Sequence, residues 1–418
     1  FRDNIINKPE LTVYFKNTPE ESLYFNNSIK NRGLWNSNRI YLPVIGKWVV
    51  YQGYNGKYTH KGEWKHAIDF VINDSEGSMY KGDGKTVSDY YCYGKPVVSV
   101  SDGVVVEVID NIEDNIIGDV NTSDNWGNSV IIKHSEQLYS KVSHLKIGSI
   151  RVAKGQYVRK GDVIGLCGNS GRSPFPHLHF QLQTTPYLHS KTVDGVISHY
   201  ITHKENKSLL CSNRVPSEGD VIENVKIDDV LSRAFHFIPG QILKISYLTK
   251  KGKEINSKLE VKTDIYNNSY IYCEKTGAKA YFVNNGTVFY FVNYEGSKKS
   301  LLYKFFISCY FVLLGYNNNL EIHDELPLSI VMNSDYYNII GKMYMMFQNI
   351  LSPFYIFSKY YYKSLYEMKE SEDEYLINVV IERKIFNYRN EEMRMITVVN
   401  NNGINRILLK DGTEIKFN

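Results

Sequence analysis

Residues 168–182 read GNSGRSPFPHLHFQL, a Gly/Ser/Pro-rich loop running straight into an alternating apolar stretch that carries His177 and His179. In an extended strand residues i and i+2 share a face, so the two imidazoles project together while Leu178, Phe180 and Leu182 point the other way, into a core. A lone His-x-His is ordinary on a protein surface, where imidazole is common. It becomes chemistry only if further donors converge on it.

The segments around it share the same alternation. From Lys47 to Gln183 the chain is a series of short runs, KWVVYQGY, HAIDFVI, KPVVSVSDGVVVEVI, NSVIIKH, YSKVSHL, QYVRKGDVIGLCG and HLHFQLQ, punctuated by Gly, Asn and Asp. Such spacing predicts an antiparallel sandwich or barrel-like β fold rather than β-α-β units. The glycines of SDGVV and RKGDVIG are expected at positive φ in tight turns. Residues 110–126, DNIEDNIIGDVNTSDNW, break the pattern with acidic and Asn residues and are expected to form a long loop of the kind that rims sites.

At 418 residues the chain is long enough for two or three domains, and 22% charged with 43% hydrophobic residues is an ordinary globular composition. A net charge of +4 gives no reason to expect nucleic acid as a partner. The five cysteines are scattered, without a CxxC pair, which argues against a cysteine-ligated zinc site and a disulfide framework. The chain begins at Phe1 without Met or a signal-like segment, so any export signal would lie upstream. The apolar run LLYKFFISCYFVLLGY, 301–316, is shorter than the roughly 20 residues a spanning helix needs and contains Lys304, so it is expected as buried core.

Nine of the eleven histidines precede residue 204, whereas the second half is rich in Tyr, Phe and Asn. We therefore expect chemistry in residues 1–205 (core 41–190) and a second β-rich domain over 206–418, with RVPSEGDVIENV, 214–225, as linker-like sequence. KAYFVNNGTVFYFVNY, 279–294, and the terminal RILLKDGTEIKFN each carry a hairpin signal, Asn-Gly and Asp-Gly. The Met- and Tyr-rich run between about 330 and 370 is expected to contain helix.

Further donors do exist. THKGEWKHAIDF, 59–70, supplies His60, His66 and Asp69, and KVSHL, 141–145, supplies His144. Several histidines and one aspartate at strands or strand edges suit a catalytic zinc, which takes nitrogen and oxygen ligands and keeps one position for water. Between the two upstream histidines parity favours His60. His66 is three residues before Asp69 and faces the opposite side in a regular strand, whereas a Gly-containing turn at KGEW can fold His60 back; a bulge would reverse the choice to His66.

In their order these residues resemble the lysostaphin-type zinc metallopeptidases, which cleave peptide bonds in bacterial peptidoglycan. The resemblance covers about residues 41–190 and includes GKPVVSVSDGVV, WGNSVIIKH and VAKGQYVRKGDVIGLCGNSG as well as the lone His-Leu and His-Leu-His-Phe motifs. It implies Zn2+ held by His60, Asp69 and His179, with His66 the alternative first ligand. It further implies His144 and His177 as non-ligating catalytic residues, one the general base and both stabilising the oxyanion. The simplest family spacing would put the first ligand at Lys65, which is not a zinc donor, and Val142 stands where the family often has an aromatic residue. If a tyrosine assists the oxyanion, Tyr139 and Tyr54 are the candidates.

The implied activity is a zinc metalloendopeptidase acting on peptidoglycan peptides, outside the cytoplasm in the cell envelope or secreted, with no nucleotide cofactor implied and open to fusion with an upstream membrane segment. The alternative is a non-catalytic cell-wall binding or amidase-activator-like module with a degenerate metal site. His134, His189, His199, His203, His236 and His323 have no motif context and are expected on the surface or in the core, and Cys167 as a small buried residue. The aromatics of the second half could stack on sugars, although sheet packing is their commoner use.

Overall fold

The computed structural model describes residues 39–204, 207–248, 254–331, 359–369, 374–385 and 388–418. Among the described residues two compact units emerge: 39–227 with Gly315–Glu321, and Asp228–Leu314 with Ile322–Asn418. The chain is mainly β, as the alternating runs predict.

The first unit contains β1 (Trp48–Gln52), β2 (Ala67–Val71), β3 (Pro96–Val98), β4 (Gly103–Ile109), β5 (Asn128–Ser135), β6 (Leu138–Leu145), β7 (Tyr157–Val158), β8 (Val163–Leu166), β9 (Leu178–Gln183), β10 (Ile197–Lys204), β11 (Lys207–Arg214) and β12 (Val221–Asn224). Its main sheet runs β7–β4–β5–β6–β9–β2–β1–β12–β10–β11, with every neighbouring pair antiparallel. β3 and β8 pair separately. Among the described residues the strands do not close into a barrel. The sheet continues past β1 into β12, β10 and β11 instead of returning to β7.

This continuation moves the expected boundary. β10 and β11 are antiparallel partners, Lys204 opposite Lys207, so a division at 205/206 would fall between two paired strands. The supposed linker contributes β12, whose Ile222 lies opposite Trp48, both fully buried. The units divide after Ile227 because these ladders and this core bind residues 197–224 to the first unit.

One expected turn glycine also has a different role. Gly161 does adopt positive φ, +88°, but Gly103 lies within β4, where a Cβ would come within 2.4 Å of the Lys133 carbonyl oxygen. Close strand approach, not turn geometry, demands glycine there.

The later strands are β13 (Ile242–Leu248), β14 (Glu254–Thr263), β15 (Ser269–Cys273), β16 (Ala278–Asn284), β17 (Val288–Glu295), β18 (Phe311–Leu313), β19 (Leu320–Leu326), β20 (Lys359–Lys369), β21 (Glu374–Ile385), β22 (Tyr388–Asn400), β23 (Gly403–Leu409) and β24 (Glu414–Phe417). They include the antiparallel series β20–β21–β22–β23–β24–β13–β14–β15–β16–β17–β18. Both predicted hairpins form, β16–β17 and β23–β24, with Gly286 and Gly412 at φ +80° and +82°.

The 301–316 run becomes a helix, Leu301–Ser308, followed by β18, and its Phe305, Phe306, Ile307 and Phe311 are fully buried. Among the described residues no helix is long and apolar enough to cross a membrane. The expected helix over 330–370 falls largely on 332–358, outside the described residues. At 359–369 the chain is strand: Tyr360, Tyr362, Ser364 and Tyr366 are buried in strict alternation, a period of two that only a strand can bury.

Candidate metal centre and its histidines

Three strands position the centre. Asp69 on β2 lies directly opposite His179 on β9, and its other neighbour in register is Gln52 on β1. His60 precedes the short helical turn Gly62–Trp64, in which Gly62 takes φ +55°, and this turn returns the chain so that His60 faces Asp69. The result is a cluster in which one donor atom each from His60, Asp69 and His179 lies within 4.8 Å of the other two, all three residues buried. His66 is not in it. Its ring packs on Tyr54 at 5.2 Å and its backbone N–H donates to Thr192 Oγ1, just before β2 begins.

Hydrogen-bond polarity shows what the cluster offers. His60 Nδ1 faces the Gly53 carbonyl oxygen at 2.9 Å and can only donate to it, which leaves Nε2 bare. That Nε2 is buried, lacks a hydrogen-bond partner, and lies 3.2 Å from Asp69 Oδ1. Asp69 Oδ2 accepts from Gln52 Nε2 at 2.8 Å, and Oδ1 also meets His179 Nδ1 at 2.9 Å. Burial opposes the carboxylate charge, but the His179 and His60 rings that face the carboxylate outweigh it and hold the Asp69 pKa well below its ordinary value. At His60 burial is likewise outweighed by Asp69 and the pKa rises, whereas at His179 burial prevails and lowers it. A buried carboxylate oxygen faced by two ring nitrogens, one of them bare, is the donor set of a cation site, and zinc suits its nitrogen and oxygen chemistry.

Beside it stand the other two histidines. The His144 and His177 rings are 4.8 Å apart, and His144 is 5.9 Å from His179. Regular alternation along β6 would turn His144 away, because Ser143 is the residue opposite His179. The backbone of His144 is instead left-handed, φ +63°, which interrupts the alternation at this residue. Such a conformation costs a non-glycine residue about 1–3 kcal/mol and persists only where surroundings hold it. Here His144 Nδ1 donates to Ser170 O at 2.8 Å, so Nε2 carries the lone pair, and burial, aided by His177 and His179, pushes the pKa well below the usual imidazole value. His177 Nδ1 donates to Phe175 O at 2.9 Å, with Ser173 Oγ at 3.1 Å.

The loop that supplies these carbonyls is packed backbone to backbone. A Cβ on Gly127 would meet Ser170 O at 2.4 Å and one on Gly171 would meet Gly127 N at 2.3 Å, and both glycines have positive φ. Residues 110–126 are indeed loop, and they brace 168–174: Asn115 Nδ2 donates to Gly171 O and Ser173 O, and Gly118 N donates to Pro174 O.

Several neighbours carry no histidine-like signal in the sequence. Trp126 packs on His179 at 5.5 Å and donates its Nε1–H to His189, so a histidine expected to be peripheral supports a wall of the site. Fully buried Lys141 places Nζ 3.1 Å from the centre of the Trp126 ring and donates to Leu188 O; burial holds its pKa well below the ordinary value. Gln52 and Gln181 touch Asp69 and His179 directly. A strand-parity reading of HFQLQ would have put Gln181 on the face of His179. Of the two tyrosine candidates, Tyr54 donates its hydroxyl to Gly195 O, and Tyr139 lies opposite Gln183. Cys167 is buried, with burial pushing its thiol well up, and all five cysteines are free.

A β-rich unit with a buried His–Asp–His donor cluster and two further histidines is the class of domain these observations define. Residues 86–194 match the model of peptidase family M23, a stretch that begins downstream of His60 and Asp69. The matched stretch takes in His144, His177 and His179. It is 34% identical over 101 residues to an uncharacterized metalloprotease of Buchnera aphidicola, covering 24% of this chain and 22% of that protein. It is 38% identical over 89 residues to the peptidoglycan DD-endopeptidase ShyA of Vibrio cholerae, covering 21% of this chain and 17% of the relative. The match thus spans about a fifth of the length of these curated relatives. Among solved structures, the catalytic domain of lysostaphin from Staphylococcus simulans is 24% identical with a TM-score of 0.23, covering 36% of this chain and 88% of that one.

Proposed function

We infer that this chain is a zinc-dependent endopeptidase that hydrolyses peptide bonds of bacterial peptidoglycan outside the cytoplasm, with His60, Asp69 and His179 as the metal ligands. The observation that carries this reading is the meeting of buried acceptor atoms from three stretches of chain on one point, beside two histidines whose Nδ1 atoms are tied to carbonyls. The M23 match and the endopeptidase relatives supply the substrate class. Zinc, when bound, would supply a Lewis acid that polarises a peptide carbonyl and brings the pKa of water to about 7.

The remaining work falls to the chain's own groups. His144, neutral with its lone pair on Nε2, accepts a proton from the attacking water and returns it to the leaving amine. His177, its ring held by the contact of Nδ1 with Phe175 O, stands beside His144 and assists in stabilising the developing oxyanion. The buried Asp69 and the indole of Trp126 hold the His179 ring between them. The test is zinc per purified chain together with release of peptides from purified peptidoglycan, before and after a chelator. One zinc per chain and chelator-sensitive release support the reading; hydrolysis that survives complete metal removal overturns it.

A further inference from the structure

The three residues His179, Gln181 and Gln183 occupy alternate positions of β9 and so share one face. Their side chains form an unbroken relay. Gln183 Nε2 points at two backbone carbonyls, Thr185 O at 2.8 Å and Tyr187 O at 3.0 Å. Carbonyl oxygens only accept, so the orientation of the Gln183 amide is fixed with its Oε1 facing Gln181. Gln181 must then donate its Nε2–H to Gln183 Oε1, 2.9 Å away, and present Oε1 to His179 Nε2 at 3.0 Å. His179 Nε2 must carry the proton, which leaves Nδ1 bare toward Asp69.

Gln52 does the same for the carboxylate. Its Oε1 accepts two backbone N–H groups, Tyr58 at 2.7 Å and Thr59 at 3.1 Å, so its Nε2 is the group that donates to Asp69 Oδ2. Oδ1 remains for the cluster. All of Gln52, Gln181 and Gln183 are buried to within 2% of complete exclusion from solvent, where a reversed amide would face carbonyls or N–H groups of like polarity.

We propose that Gln181, oriented through Gln183 by the carbonyls of Thr185 and Tyr187, is a positioning residue that dictates the metal-accepting tautomer of His179, with Gln52 setting the presenting oxygen of Asp69. The proposal rests on the reading of the cluster as a metal site, and it assigns the loop 184–187 a part in metal affinity although that loop supplies no ligand. Second partners of this kind govern ring orientation and ligand basicity, and their loss weakens metal binding about 10–100-fold.

The test uses the full chain and two readouts. In metal-free protein with 15N-labelled histidine, at a pH where the ring is neutral, long-range 1H–15N correlations identify the His179 tautomer, assigned by its loss in His179→Ala. The relay requires Nε2–H; an Nδ1–H ring donating to Asp69 overturns it. Zinc affinity is then measured by chelator competition for Gln181→Met and Gln181→Glu. Met keeps the volume but removes the acceptor, whereas Glu keeps an acceptor for the His179 N–H. The relay predicts that Gln181→Glu binds zinc at least about tenfold more tightly than Gln181→Met. A packing role predicts the reverse order, because Met fits and a buried carboxylate does not. Absence of zinc binding in a protein whose His179 carries Nε2–H would defeat the metal reading and leave the relay standing. Tight zinc binding with an Nδ1–H ring, or with the reversed order of variants, would defeat the relay alone.

Discussion

The two units bury different chemistry. In the first, the strands around the centre enclose Gln52, Asp69, Lys141, Ser143, His179, Gln181 and Gln183, all polar and all buried. In the second, the corresponding interior is aromatic: Phe289, Phe291, Phe305, Phe306 and Tyr310 are fully buried, with Phe291 and Phe306 rings 5.0 Å apart. Two tyrosine hydroxyls of that core are satisfied locally: Tyr362 donates to Phe311 O and Tyr366 accepts from Leu313 N. Burying a polar group is unfavourable unless it is hydrogen-bonded, so a densely polar interior is retained where it serves something other than stability. On this account the polar interior of the first unit is where a site is expected, and the buried aromatics of the second form a core. The buried tyrosines are therefore not a sugar-stacking surface.

The contrast can be broken experimentally. The largest effect is expected from Asp69→Ala or His60→Ala, either of which should take zinc from one per chain to none, measured by metal analysis, and abolish peptide release. Retention of stoichiometric zinc in both would remove the centre. His144→Ala should keep zinc and lower kcat/KM by about 10²–10⁴-fold, the usual contribution of a general base. Loss of zinc there would instead make His144 a ligand.

In the aromatic unit, Phe306→Ala should cost about 3–5 kcal/mol of unfolding free energy, read from denaturant titration, with zinc stoichiometry unchanged. A smaller change is expected in the pH profile. As a base His144 must be neutral, so kcat/KM rises as pH rises through its pKa. Since burial lowers that pKa below 6.5, the midpoint of the acid limb should fall below that value. A midpoint above it would contradict the assignment. The smallest effect belongs to His66→Ala, which should leave zinc affinity unaltered while His60→Ala loses it.

Much of this was legible in residue order. Alternation announced a β chain and the Asn-Gly and Asp-Gly turns announced two hairpins, because period-two patterning and turn chemistry are local properties of the backbone; His177, by contrast, lies just before β9 and only His179 of the pair joins the donor cluster. Other features were not. Of the run over about 330–370 expected to contain helix, the described part at 359–369 is a strand because Tyr360, Tyr362 and Tyr366 pack at period two beside β21 and into a core that no local propensity reveals. The boundary expected at 205/206 moved to 227/228 because β12 found partners in β1 and β10, far away in sequence.

The candidate site divides in the same way. Local sequence determined which residues carry imidazole and carboxylate chemistry and which of them alternate toward a common face. Tertiary structure alone decided that Asp69 stands opposite His179, that His144 adopts a left-handed backbone beside the cluster, and that Gln52, Gln181 and Gln183 present the polarity they do. The reason is physical: the direction of a side-chain amide or the tautomer of a ring is settled by carbonyls and N–H groups brought close by strand pairing and loop packing, and those partners are distant in the chain.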